Sequence, residues 1–177
     1  MSAKENMQLM ASYNHWMNQT IYRAAGELND VDLTENKGAF FGSVLGTLNH
    51  NLVADIIWLK RFSECFGSLV SLEYVRTLEK PTELNVLLFK DLIPLRERRF
   101  ELDNVIIAMM DEITDEMLTM ALGYKNTKGV EHLQRFEFVL QHFFNHQTHH
   151  RGQLTTLFSQ MNIEVGVTDL ITTIPNM

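Results

Sequence analysis

His142-Phe143-Phe144-Asn145-His146-Gln147-Thr148-His149-His150-Arg151-Gly152-Gln153 holds four of the seven histidines of the chain. The stretch sits in a segment with the period of an amphipathic helix, from about Arg135 to Met161. A helix repeats every 3.6 residues, so residues three, four and seven apart share a face. Two seven-residue rows carry the core side: Phe136, Phe143, His150, Leu157 and Leu140, Gln147, Leu154, Met161. A third row, Arg135, His142, His149, Thr156, is polar. This divides the histidines. His150 faces inward, His146 lies one turn earlier on the edge of that face, and His142 and His149 face water. Imidazoles four residues apart can reach one metal ion, although a polar helix face that happens to use histidine has the same spacing. Gly152 costs a helix interior roughly 1 kcal/mol against alanine. Its presence points to close packing or a nearby ligand.

Working outward, Ser43 is a good N-cap for a helix from Val44 to about Phe62 that is apolar nearly all round, and so buried. His50 sits in its middle. A buried histidine needs partners for its nitrogens, which either hydrogen bonds or a metal would supply. At the N-terminus, Ser2-Ala3-Lys4-Glu5 fits a capping box. It opens a helix to about Leu28 with the stripe Met10, Tyr13, Met17, Ile21, Ala24, Leu28, and Trp16 packs beside that stripe. Asp32 to Gly42 is a connector broken by Gly38 and Gly42, in which Phe40 and Phe41 plug the bundle end. Another helix starts near Asp91, tolerates Pro94 in its first turn and ends near Ile113. Its stripe is Leu95, Leu102, Ile106, Met109, Ile113. Arg96, Arg98 and Arg99, mixed with Glu97 and Glu101, form a solvated face. Ser63 to Lys90 is interrupted by Pro81, with Leu69 to Val75 irregular or extended. Leu118 to Leu133, with Gly123 and Gly129, reads as a small hairpin or long turn. The tail from Asn162 wraps the bundle. The expectation is an all-α chain, residues 1–177 forming one antiparallel four-helix bundle with long connectors and a small hairpin before the last helix.

Composition narrows the function. With 45% hydrophobic and 21% charged residues, the chain matches a water-soluble globular protein. No apolar run approaches the roughly 18 residues of a membrane span, and the N-terminal residues do not make a signal peptide. A cytoplasmic location is expected. A net charge of -7 with no basic stripe argues against nucleic-acid binding. The single cysteine, Cys65, cannot build a thiolate metal site, so any metal depends on His, Asp or Glu. Glu-x-x-His pairs, His-Glu-x-x-His, Gly-x-Ser-x-Gly and a Walker-type glycine loop are all absent. The candidate site is thus His50, His146 and His150, meeting in a bundle core. Three histidines leave a fourth position open on a tetrahedral ion, as catalytic sites do.

Tyr13-Asn14-His15-Trp16-Met17-Asn18, Gly38-Ala39-Phe40-Phe41-Gly42-Ser43, Leu48-Asn49-His50 with Asp55 and Trp58, Phe144 to Gln153, and Thr168-Asp169-Leu170 together resemble the DinB/YfiT-like superfamily of bacterial four-helix bundles. (The DNA polymerase that shares the DinB name is unrelated.) The resemblance spans essentially the whole chain. It implies an up-down-down-up helix order and, in many members, a homodimer. It also implies a divalent metal, typically nickel or zinc, held by three histidines that map onto His50, His146 and His150. The better understood members are thiol-dependent enzymes, which use a low-molecular-weight thiol such as bacillithiol or mycothiol. The expected function is therefore a metal-dependent S-transferase acting on a small electrophile. Its alternatives are a metal-dependent hydrolase and a non-enzymatic, dimeric stress-response binding protein with a structural metal. Asp55 either orients a histidine ring or is a capping or surface carboxylate. Arg151 faces either an anionic thiol or a salt-bridge partner.

Overall fold

Ser2 closes the first helix as its sequence predicts: its hydroxyl accepts from the Glu5 N–H at 3.1 Å, and the Glu5 carboxylate accepts from the Ser2 N–H. From this cap α1 runs Ala3–Ala25 in the computed structural model, which describes residues 2–175. It ends at Ala25, three residues short of the expected Leu28, with Gly26 as its C-cap. A one-turn helix, α2 (Asp30–Thr34), follows under an Asn29 cap. Ser43 caps α3 (Val44–Cys65) through a 3.0 Å bond from the Gly46 N–H. Leu69 to Val75 is helical, not extended: a 3-10 turn over Val70–Leu72 leads into α4 (Glu73–Thr77). Leu72 and Val75 are buried there, so tertiary packing overrides the β-branched composition. Next come α5 (Leu92–Glu112) and the short α6 (Asp115–Thr119). The hairpin pairs β1 (Ala121–Lys125) antiparallel with β2 (Glu131–Arg135), in the register Gly123 to Leu133. Asn126 shapes its turn by accepting from the N–H groups of Lys128 and Val130. Finally α7 runs Phe136–Gln160.

The pairings set the helix order. Gln8 meets Asp111 and Asn18 meets Asp103, so α1 and α5 are antiparallel. Phe62 packs on Phe136 while His50 packs on His150, so α3 and α7 are antiparallel. Asn49 bonds Phe89 and Asp55 bonds Arg99, so α3 and α5 run the same way. Arg151 reaches Asn14, and near the other end Met7 shares a cavity wall with Gln141, so α1 and α7 run the same way. The result is the up-down-down-up bundle.

The expected stripes hold the core. Leu95, Leu102, Ile106, Met109 and Ile113 of the α5 stripe are all buried, as are Phe136, Leu140, Phe143, Leu154 and Leu157 of the α7 rows. Each such side chain contributes about 1.5–3 kcal/mol relative to exposure. Trp16 packs against this core as expected. Among the described residues no helix is long and apolar enough to cross a membrane.

Three expectations fail. Phe40 is 88% exposed and plugs nothing; only Phe41 turns inward. Arg99 is buried, not part of a solvated face, because it lies four residues after Leu95 and three before Leu102 on the inward stripe. Gly152 is exposed, and a Cβ there would meet nothing within 4 Å, so close packing does not explain it.

Candidate metal centre

The all-round apolar α3 places His50 in the bundle with only 4% of its surface exposed. On α7, His150 faces inward and is buried, His146 is half-buried at the edge, and His142 and His149 are exposed, as the helical rows predict. Phe41 lies flat on His50, with ring centroids 3.7 Å apart and planes 14° off parallel, and meets His150 at an angle. The loop ending at the Ser43 cap carries Phe41 to this position.

The three rings converge through the same atom. His146 Nε2 lies 3.3 Å from His50 Nε2 and 3.1 Å from His150 Nε2. The other nitrogens fix the protons. His50 Nδ1 stands 2.8 Å from the Leu84 carbonyl, which only accepts, so Nδ1 carries the hydrogen and Nε2 a lone pair. His150 Nδ1 likewise donates to Gln153 Oε1 at 2.8 Å, while the Gln153 amide donates to His149 Nε2 at 3.2 Å. Two lone pairs therefore face His146 Nε2, which has at most one hydrogen to offer. Without a cation, at least one acceptor faces another acceptor. A tetrahedral ion with metal–nitrogen bonds of about 2.0–2.1 Å needs ligand nitrogens roughly 3.3 Å apart. The donor set fits such an ion in atom type and spacing, and all three ligand atoms lie within 4.8 Å of one another.

Burial keeps these rings neutral. It pushes His50 down to about 4, against the opposing bond to Leu84. It pushes His146 down to about 3, with the neighbouring histidines adding to the effect. His150 is also lowered by burial, and its bond to Gln153 opposes that. The consequence for stability has a definite sign. Unfolded histidines take up protons near pH 6.5, whereas the folded His50 and His146 rings do so only far lower. Below about pH 6.5 protons therefore favour the unfolded chain, and above it these groups contribute no slope. The raised carboxyl of buried Asp55 has the opposite slope, so the comparison is with a variant. Between pH 6.5 and 5 the melting temperature of chelator-treated protein should fall more than that of chelator-treated His146→Ala, and from 7 to 8 the two should run parallel. Parallel profiles across both ranges would contradict the environment assigned to His146.

Asp55 neither orients a histidine nor lies at the surface. It is fully buried and paired with Arg99, because the helical twist over five residues turns it away from His50 toward α5. The Leu84 carbonyl and Gln153 do the orienting instead. Gln153 was legible three residues after His150; a main-chain carbonyl in a connector leaves no mark in sequence. Arg151 is buried too and, among the described residues, has no carboxylate within ion-pair distance: it donates to Asn14, Asn18, Gln147 and Thr148.

A cleft of about 320 Å³ opens over His50 and His146, walled by Trp58, Arg61, Tyr124 and His142. A second cavity of about 550 Å³ shares Trp58, Tyr124 and His142 and continues toward Phe138. The histidine cluster is thus reachable from outside along a groove under the hairpin.

A family model described as DinB family matches residues 1–176. The Bacillus subtilis (strain 168) protein named Protein DinB is 26% identical over 159 residues, covering 89% of this chain and 87% of its own. No solved structure matches the chain.

Proposed function

The chain belongs to the DinB family, and from that footing we propose that His50, His146 and His150 hold one divalent ion, nickel or zinc, in a metal-dependent S-transferase-like enzyme. It would join a low-molecular-weight thiol to a small electrophile. The observation that carries this reading is the convergence of three Nε2 atoms, two of which belong to rings, His50 and His146, that line an open cleft. When bound, such an ion supplies Lewis acidity, which favours loss of a proton from a thiol brought beside it.

The chain's own residues do the rest. Leu84 and Gln153 hold hydrogens on the Nδ1 atoms, and that keeps the Nε2 lone pairs turned to the centre. Phe41 fixes the plane of His50 and closes one side against water. The walls of Trp58 and Tyr124 offer an apolar surface to an electrophile. Cys65, the last residue of α3, is exposed and bonds the Ala121 carbonyl region, so the reacting thiol has to arrive with the ligand. The homodimer implied by the family resemblance is part of the same proposal.

One observation favours a second reading, hydrolysis. His142 lines the same cleft, its ring centroid 6.1 Å from that of His146, where it can accept a proton from water.

The test is elemental analysis of the purified, untagged protein beside His50→Ala and His150→Ala, followed by assays of the metal-loaded protein on a panel of electrophiles. About one divalent ion per chain, lost in both variants, and conjugation that requires added thiol are the expected results. Turnover with no thiol present, abolished in His142→Gln, would favour hydrolysis. No metal after incubation with nickel or zinc would overturn the enzyme reading.

A further inference from the structure

Arg61 is a buried cation, 8% exposed, with no carboxylate within ion-pair distance among the described residues. The buried Arg99, by contrast, has two. The Arg61 guanidinium carbon stands 4.4 Å from the Trp58 centroid and 4.8 Å from that of Tyr124, two rings that meet edge to face with centroids 5.0 Å apart. Nη2 donates to the Lys125 carbonyl at 2.9 Å. A guanidinium has five N–H donors, and this bond uses one of them. Withdrawing a charge from water without a counter-ion is costly, so a cation kept in this state fits a ligand that brings the anion. Arg61 lines the cleft that also contains His50 and His146.

The spacing follows from the helix. His50, Ala54, Trp58 and Arg61 follow one another along the cleft face of α3. At 1.5 Å per residue the Cα atoms of His50 and Arg61 are about 16 Å apart along the axis. Long side chains on a helix lean toward its N-terminus, here toward Trp58, which leaves roughly 10 Å between guanidinium and histidines. An extended peptide covers that length in about three residues. A planar carboxylate binds the edge of a guanidinium with two parallel bonds, and the N–H groups of Arg61 not used by Lys125 are free to offer such an edge.

We infer that Arg61 is the specificity-determining residue for the thiol ligand, binding its carboxylate while the sulfur end reaches the histidines, so that the ligand class is a carboxylate-bearing thiol about three residues long. This rests on the metal reading proposed above, and the test separates the two. Cobalt(II)-loaded protein is titrated with glutathione and with glutathione diethyl ester, following the visible absorption of cobalt. The free acid should bind about tenfold more tightly than the ester in the unsubstituted protein. The preference should vanish in Arg61→Gln and be intermediate in Arg61→Lys, which keeps the charge without the fork and guards against a hairpin loosened by the first change. A tenfold preference surviving in Arg61→Gln, or no preference in the unsubstituted protein, would overturn the inference; Arg61 would then only staple the hairpin to α3. A second arm needs no metal. In a Trp16→Phe background, succinate should change the fluorescence of Trp58 in the metal-free protein and not in its Arg61→Gln counterpart. If cobalt fails to bind, the metal reading falls, and the succinate titration still decides the role of Arg61.

Discussion

Replacing Arg99 by leucine should cost the bundle about 3–5 kcal/mol, the usual effect of removing one partner from a buried ion pair. Arg99 is 1% exposed and holds Asp55 at 2.5 Å and Asp103 at 3.0 Å. Asp103 also accepts from Asn14 and Asn18 of α1, and both amides accept from Arg151 of α7. The network therefore touches all four long helices, with two arginines balancing two aspartates. A leucine gains about 1.5–3 kcal/mol by its own burial, too little to offset two carboxylates left with a single cation. The loss should depend on pH in a way that separates it from a packing defect. Burial already pushes the Asp55 carboxyl up to about 7 against the pull of Arg99. Without that pull, folded Asp55 binds its proton more strongly still, while the unfolded chain keeps the ordinary value near 3.9. Between those values protons favour the folded state, so the deficit of the variant should be smaller at pH 5.5 than at pH 8. Urea unfolding at the two pH values measures both effects. In a double-mutant cycle, Asp55→Leu with Arg99→Leu should cost less than the two single changes added. A loss under about 1 kcal/mol at pH 8 would show that the network contributes only specificity of packing.

The same residue marks where sequence reading stopped. The caps at Ser2 and Ser43, the α5 stripe and the two α7 rows were legible because each is local: a side chain and a backbone group a few residues apart, or a period over many turns. The division of the histidines by face followed from that period as well. Arg99 was read from its charged neighbours Arg96 and Arg98, although its steps to Leu95 and Leu102 put it on the inward stripe. Asp55 is the parallel case, three residues after Leu52 and four before Leu59 on a buried row. Periodicity could have found both, had polar residues been allowed inside. No local pattern could have found Phe41 against His50 or the Leu84 carbonyl on its Nδ1, since both come from connectors positioned by tertiary contacts. The one-turn helices at Asp30–Thr34 and Glu73–Thr77 are too short for a period to speak.

His146→Ala should remove the response of the protein to metal altogether. His146 stands between His50 and His150, within 3.3 Å of each Nε2, so its loss leaves two imidazoles that no longer share a central third donor. The stabilisation at stake is set by mass action. An ion present at a thousand times its dissociation constant stabilises the fold that binds it by about 4 kcal/mol. For a chain of this size, that corresponds to a rise in melting temperature on the order of 10 °C. The unsubstituted protein should show such a rise with zinc or nickel over its chelator-treated form, and His146→Ala should show none. The metal-free variant need not be unstable. His146 is half-buried at the edge of the cleft, not packed in the apolar cluster, and its removal relieves a cluster of nitrogen lone pairs that face one another. Its metal-free melting temperature should therefore equal or exceed that of the metal-free parent. This combination, no response to metal and no loss of intrinsic stability, distinguishes a ligand from a core histidine. A core residue would lower the metal-free melting temperature when truncated and leave any metal response intact, and that pair of results would exclude His146 as a ligand and overturn the three-histidine site.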